Sequence, residues 1–274
     1  MRFAFTTHAF RPDAGELAKK CGAWLASLGH EAVLWDDLED QQVPGADLAV
    51  SLGGDGTMLR TVELAMPSDT PVLGVNLGTL GYLTEIMPED LHSGIQRFME
   101  GSFQLERRLA LEAILRPAGG DPVVLSSSVL NDVVMERCSA GHTVRVETSI
   151  GGEAFTTFVG DGMIVATPTG STAYSFSAGG PIVSPAIDVL LVTPISPHML
   201  LDRSLVLPPE EELILRLVER RQAAVVLDGR QVATANPGDS VVVRASQKKA
   251  TLVRFGKGSH FRSVIRAKFH LAEN

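Results

Sequence analysis

Residues 48–65 restrict what this chain can fold into more than any other stretch. An apolar run, 48–52, reads as a buried parallel strand; Gly53-Gly54-Asp55-Gly56-Thr57 follows it, and 58–65 has the composition of a helix. Gly53, Gly54 and Gly56 let backbone N–H groups approach a ligand with no Cβ in the way, and the helix N-terminus behind them adds the positive end of its dipole. Phosphate is the expected occupant. Asp55 is the informative residue, because a carboxylate beside a phosphate is unfavourable unless it holds a metal or takes a proton from an attacking hydroxyl. The loop therefore points to phosphoryl transfer. A plain turn role for Asp55 is the open alternative, since Asp and Gly dominate tight turns for backbone reasons alone. The loop is not a P-loop, for no G-x-x-x-x-G-K-[ST] occurs in the chain. Nor is it the dinucleotide fingerprint, whose third glycine is replaced by Leu59.

The flanking pattern supplies the architecture. Strands are expected at 2–7, 31–35, 48–52 and 71–75. Helical spacing runs through 14–28, where Leu17, Cys21, Trp24, Leu25 and Leu28 share a face and Gly29 closes the helix; 89–100 reads as a further helix ended by Gly101. Strands alternating with helices predict an α/β N-terminal domain with a parallel, doubly wound sheet, whose ligands belong at the carboxyl ends of its strands. A second glycine turn, Asn76-Leu77-Gly78-Thr79-Leu80-Gly81, follows the fourth strand. Two readings of it are open: the opposite wall of the same crevice, or a loop with ordinary backbone needs.

Beyond Gly101 the texture becomes short β-rich runs at 105–115, 123–136, 143–150, 154–159, 163–167, 189–193, 213–218, 223–227 and 240–245. Gly151-Gly152 and Asp228-Gly229 are two-residue hairpin signals, and 236–239 is a longer turn. The expectation is a β-rich, two-layer C-terminal domain. At 274 residues and 45% hydrophobic content the chain can bury one large core or two ordinary ones; two are expected, divided as 1–100 and 101–258.

Charge narrows the partners. A net charge of -8 argues against nucleic acid and anionic membrane, whose binding depends on Lys and Arg clusters, but leaves room for a small phosphorylated ligand offset by local N–H groups and a divalent ion. The loop itself offers amides and an acid with no adjacent Lys or Arg cluster, which predicts a divalent cation, Mg²⁺, alongside the phosphates. Cys21 and Cys138 have neither metal nor disulfide-scaffold spacing. With no signal peptide evident at the N-terminus and no apolar run near the roughly 20 residues of a membrane span, a soluble, cytoplasmic protein is expected. The basic residues of 261–271 read as the solvated face of an amphipathic element.

One segment breaks the β texture: Gly160-Asp161-Gly162, a short apolar strand, then Thr167-Pro168-Thr169-Gly170-Ser171-Thr172-Ala173-Tyr174-Ser175. Thr167, Thr169, Ser171, Thr172 and Ser175 can donate and accept hydrogen bonds around a polar heterocycle, and Tyr174 adds a ring with a polar tip. A helix cap by Ser171 or Thr172 is the plainer alternative, though a cap needs one hydroxyl. Asn131-Asp132 sits in an otherwise apolar run and needs partners if buried; a ribose, a bulge or a strand end would each provide them.

Taken together, 53–57, 76–84 and 160–177 resemble the NAD kinase family of bacterial type. The resemblance continues through Ala178-Gly179-Gly180-Pro181, Pro197-His198 and 261–271. The first motif alone is shared with diacylglycerol, sphingosine and phosphofructokinase relatives; 167–175 is far more specific. The resemblance implies phosphorylation, by ATP or polyphosphate, of the 2′-hydroxyl on the adenosine ribose of NAD, giving NADP. It implies Asp55 as the base, with Gly53, Gly54, Gly56 and Thr57 serving phosphate groups. It places Asn76, Asn131, Asp132, Asp161, Thr172, Ala173, Tyr174 and Ser177 around the dinucleotide. It also implies a homodimer or homotetramer, and last residues, 259–274, that return to the first domain. Asp132 stands where the family usually has Glu, and 199–205 departs from the common pattern, so no role is carried onto that stretch. The competing readings are a lipid or sugar kinase sharing the Gly-Gly-Asp-Gly-Thr loop, and a non-catalytic dinucleotide sensor.

Overall fold

The structure, a computed structural model, describes residues 1–8, 11–35, 45–78, 81–256 and 260–270. The chain forms two compact units, Met1–Arg107 with Ala250–Asn274, and Arg108–Lys249.

The first unit opens with β1 (Arg2–Thr7), α1 (Pro12–Ser27), β2 (Glu31–Leu34), β3 (Leu48–Gly53), α2 (Asp55–Ala65), β4 (Val72–Asn76), α3 (Leu91–Met99) and β5 (Gln104–Arg108). The second unit then builds β6 (Leu111–Arg116), β7 (Val123–Val129), β8 (Asp132–Arg137), β9 (Val144–Ile150), β10 (Glu153–Gly160) and β11 (Gly162–Ala166). It continues with α4 (Tyr174–Ser177), β12 (Leu190–Ile195), β13 (Leu205–Leu207), β14 (Leu213–Leu217), β15 (Ala223–Leu227), β16 (Arg230–Ala235) and β17 (Ser240–Ala245). β18 (Ala250–Arg254) and α5 (His260–Lys268) belong to the first unit again.

The first sheet runs β2-β1-β3-β4-β18-β5, with β1 parallel to β2 and β3, and β4 parallel to β3 and β18. β3 and β4 are buried along their whole length, which is why they read as unbroken apolar runs. Phe3, Phe5, Leu48, Leu52 and Leu73 line one face of the sheet and pack with Leu25 of α1 and Leu91 and Ile95 of α3. The order 2-1-3-4 puts the switch of winding direction between β1 and β3, so the crevice of a doubly wound sheet opens where β1 and β3 end.

In the second unit two antiparallel sheets, β10-β9-β14-β17-β6-β7 and β13-β12-β11-β8-β15-β16, share one core, as the two-layer expectation held. Leu111, Val146, Leu215 and Val243 face it from one sheet; Val133, Met163, Val192 and Val225 face it from the other. The second sheet has its outer face covered as well, Val134, Ile164 and Leu191 packing with Val183. β11 and β12 are therefore buried throughout, while β9 alternates. Asp228 (φ 49°) and Gly229 (φ 78°) make the turn between β15 and β16, and two successive positive φ values are what a type I′ hairpin needs.

Two expected strands each prove to be two. Residues 105–115 divide into β5, in the first unit's sheet, and β6, in the sandwich; 123–136 breaks at Leu130-Asn131 into β7 and β8, one in each layer. An apolar run records that its residues are buried, not which sheet buries them. The division drawn at 100/101 and 258/259 differs from the observed units by β5 and β18. β13, β16 and β18 had no strand expectation: β13 has three residues, and β16 is a largely exposed edge. Among the described residues no helix is long and apolar enough to cross a membrane.

Candidate active site

β3 ends at Gly53, and α2 begins at Asp55 with Gly54 as its N-cap and no side chain capping it. The bond from Met58 N–H to the Gly54 carbonyl (3.0 Å) closes the first turn, so the amides of Asp55, Gly56 and Thr57 lie at its open end. A Cβ on Gly54 or Gly56 would meet no protein atom within 4 Å. Around this end is a cavity of about 340 Å³, lined by Gly53 to Thr57 and by Asn76, Leu77, Gly78 and Gly81 of the second glycine turn. The two turns are bonded directly, Leu77 N–H donating to the Gly53 carbonyl at 3.0 Å. Asn76 shapes the second turn: its Oδ1 accepts the Gly78 N–H and its Nδ2 donates to the Gly78 carbonyl, both at 3.2 Å. Thr79 and Leu80 lie outside the described residues.

The Asp55 carboxylate does not fold back on its own turn, as an Asx turn would. Its Oδ2 accepts the Tyr82 N–H at 2.9 Å and its Oδ1 the Leu83 N–H at 3.0 Å. Gly81 is required here, since a Cβ would fall 2.4 Å from Oδ1. Each oxygen keeps lone-pair capacity for a further partner. The Thr57 hydroxyl is buried with no hydrogen-bond partner among the described residues, the kind of orphan a ligand satisfies.

The cavity also has a basic wall that the motif alone did not disclose, made by Arg11 and Lys268 with His8 beside them. Arg11, in the segment after β1, is held by Asp13 (2.7 Å) and by the Leu77 carbonyl (2.9 Å). Lys268 ends α5, with Nζ 5.2 Å from the centre of the Tyr82 ring. Lys268 is exposed, in keeping with the reading of the basic residues in 261–271 as a solvated face, and it also lines this cavity. Burial, and after it the Asp55 charge, raise the Tyr82 phenol pKa.

The second unit gathers the other candidates at the ends of β8, β10 and β11. Thr167 N–H donates to the Asn131 carbonyl (2.9 Å) and its hydroxyl to the Leu130 carbonyl (2.5 Å), tying the turn after β11 to the start of β8. The hydroxyl-rich turn divides by role. Thr167, Ser171 and Ser175 are fully buried: Ser171 donates to the Pro168 carbonyl at 2.6 Å, and Ser175 bonds Thr193 at 2.9 Å. Thr169 accepts from Arg108 at 3.2 Å. These hydroxyls are internal fastening; Thr172 and Ala173 are half-buried, and Tyr174 and Ser177 are exposed. Tyr174 donates to Glu136 at 3.1 Å, and burial together with that carboxylate pushes its phenol up to about 12. Asp161 forms a two-point pair with Arg137 at 2.8 and 3.2 Å.

Asp132 is 3% exposed. Burial, then the charges of Asp228 and Glu136, push its carboxyl up to about 7, against the pull of an N–H bond from Tyr174. Sequence reading took Asp228 only as a turn residue. In the fold its carboxylate accepts the N–H groups of Leu130 (2.9 Å), Asn131 (2.7 Å) and Asp132 (3.2 Å), and so shapes the strand start that presents Asn131 and Asp132.

A parallel α/β sheet with a glycine-framed carboxylate and cations at its strand ends, in one chain with an antiparallel sandwich, defines a class of two-unit phosphate-handling proteins. Family models narrow it: one described as ATP-NAD kinase N-terminal domain matches residues 10–103, and one described as ATP-NAD kinase C-terminal domain matches 130–255. The chain is 41% identical over 271 residues to an NAD kinase of Heliobacterium modesticaldum, covering 94% of each chain. It is 38% identical over 275 residues to one of Syntrophotalea carbinolica, covering 96% of this chain and 95% of that one. Among solved structures, yeast NADH kinase complexed with NADH superposes with a TM-score of 0.89 at 25% identity, over 100% of this chain and 88% of that one. An Archaeoglobus fulgidus NAD kinase in complex with ATP gives 0.77 at 26%, over 99% and 100%. The chain belongs to the NAD kinase family.

Proposed function

We propose that this protein transfers a phosphoryl group from ATP to the 2′-hydroxyl of the adenosine ribose of NAD, giving NADP, with polyphosphate as a further donor. The observation that carries this reading is the Asp55 carboxylate, fixed by the Tyr82 and Leu83 amides in a cavity where glycines of both turns, Arg11 and Lys268 surround it. Asp55 accepts the hydroxyl proton as the ribose oxygen attacks the donor's terminal phosphorus, whose bond to the bridging oxygen breaks and releases ADP or the shortened polyphosphate. The amides of the Gly53–Thr57 turn and the Thr57 hydroxyl hold the donor's phosphates, and Arg11 and Lys268 offset their charge. Asn76, Asn131, Asp132, Asp161, Thr172, Ala173, Tyr174 and Ser177 bind the dinucleotide.

A divalent cation, Mg²⁺, belongs to this reading and supplies charge neutralisation on the phosphates when bound. Among the described residues no three His, Cys, Asp or Glu side chains gather into a cage, and Asp55 is the one carboxylate lining the cavity. Such an ion would be held by the donor's phosphates, themselves held by the Gly53–Thr57 amides, which leaves Asp55 available as the base. We also place the protein in the cytoplasm as a homodimer or homotetramer, which light scattering would size.

The test is direct: protein, ATP, Mg²⁺ and NAD are incubated and NADP is read with an NADP-specific dehydrogenase. NADP accumulating with enzyme concentration is expected. Binding of NAD without turnover would make the protein a sensor, and phosphorylation of diacylglycerol or a sugar in place of NAD would make it a relative of other specificity.

A further inference from the structure

We infer that Arg254 is a positioning residue for phosphoryl transfer, acting through the Tyr82–Leu83 backbone on the Asp55 carboxylate; this rests on the reading of Asp55 as the base. Arg254 ends β18 and is 6% exposed. Its Nε donates to Glu106 at 2.6 Å, and its Nη1 donates both to the Leu83 carbonyl at 2.9 Å and to Glu85 at 3.2 Å. Leu83 thus has its carbonyl on Arg254 and its N–H on Asp55 Oδ1. Two further bonds anchor the segment: Glu85 N–H donates to the Gly74 carbonyl of β4, and Glu85 Oε1 accepts the Phe255 N–H, both at 2.8 Å.

An ion pair that merely joined β18 to β5 would need only the contact with Glu106. The guanidinium also bonds the main-chain carbonyl of Leu83, the residue whose own N–H holds Asp55 Oδ1. Its Nη2 is buried without a partner among the described residues, so the side chain is kept there despite an unsatisfied donor. The planar fork sets Nε and Nη1 apart so that they reach acceptors on different segments; an ammonium has three donors but gathers them at one point. A general base works when held within about 0.5 Å of its productive geometry, and this chain of contacts sets that geometry for Asp55.

Arg254→Lys keeps a positive charge against Glu85 and Glu106 but cannot span all three acceptors. Its kcat should fall about ten- to a hundredfold, with the KM values for NAD and ATP within about twofold of wild type. The deciding measurement is the double-mutant cycle with Asp55→Asn. If Arg254 acts through Asp55, Arg254→Lys changes the residual rate of the Asp55→Asn protein by less than about twofold. An equal fold-loss in both backgrounds, or an unchanged kcat in the single variant, overturns the inference and leaves NAD phosphorylation standing. Should Arg254→Lys fail to fold by circular dichroism, Glu106→Gln, which loosens the Nε anchor from a partly exposed site, runs through the same cycle with the same two outcomes. A wild type that makes no NADP, or an Asp55→Asn protein near the wild-type rate, overturns the inference together with the reading beneath it.

Discussion

Replacing Asp55 by Asn separates the two roles open to that side chain. Asn keeps the size and the turn preference, but it cannot take a proton at neutral pH, so turnover should fall by about 10² to 10⁴ while NAD affinity stays within a few-fold. The contacts add a detail: the Asn amide would turn its NH₂ toward either the Tyr82 or the Leu83 N–H, so a drop of about 1–2 kcal/mol in stability should accompany the rate loss. Calorimetry with NAD beside initial rates checks both; a variant within a few-fold of the wild-type rate assigns Asp55 to structure alone. Asp132 makes a pH prediction. Its carboxyl sits near 7 when folded against the ordinary 3.8, so the folded chain binds the extra proton. Its contribution to stability therefore declines as pH rises from about 4 to 7 and is flat above, at roughly 1.4 kcal/mol per unit of that window. Asp132→Asn should match wild type near pH 4 and exceed it by a few kcal/mol at pH 8 in urea unfolding. Equal differences at both pH values would sink this account.

At the scale of elements, legibility followed the range of the chemistry. β1, β15 and β17 run as expected from their residues, and the glycine turn sits between β3 and α2, because strand burial and helix start are settled within about ten residues. The amides that hold Asp55, the cations beside it and the three amides under Asp228 come from distant segments, and no periodicity records such pairings. The hydroxyl-rich turn was half legible: its composition marked it as unusual, but burial decides which hydroxyls fasten the turn and which face outward. Two elements carry predictions. Lys268→Met removes the cation that α5 brings to the cavity while keeping most of its stem. The KM for ATP should rise about tenfold with little change in the KM for NAD, and an unchanged value for ATP would return Lys268 to the solvent-facing role. Tyr174, at the start of α4, is 40% exposed, so Tyr174→Ala should weaken NAD binding at least about tenfold while moving the melting temperature by only a few degrees. Equal NAD affinity in a folded variant would make the ring mere packing.

For the molecule as a whole, an acidic chain has to accept polyanions. A net charge of -8 repels a triphosphate, and Arg11 and Lys268 cannot neutralise it between them. Turnover should stop in excess chelator and return when Mg²⁺ is restored; full activity without free divalent ion would contradict the proposed neutralisation. The place of β18 has a different kind of consequence. It lies between β4 and β5 in the first sheet, yet it is made only after the whole sandwich, Arg108–Lys249, has been threaded into the chain. A ribosome therefore releases every strand of the sandwich before it releases the one that joins β4 to β5. During synthesis the inserted unit can complete its pairing while β4 waits with an unsatisfied edge, a surface of the sort that chaperones cover and that neighbouring nascent chains can mispair with. Timing on the polysome, rather than stability of the finished fold, is where this arrangement is exposed.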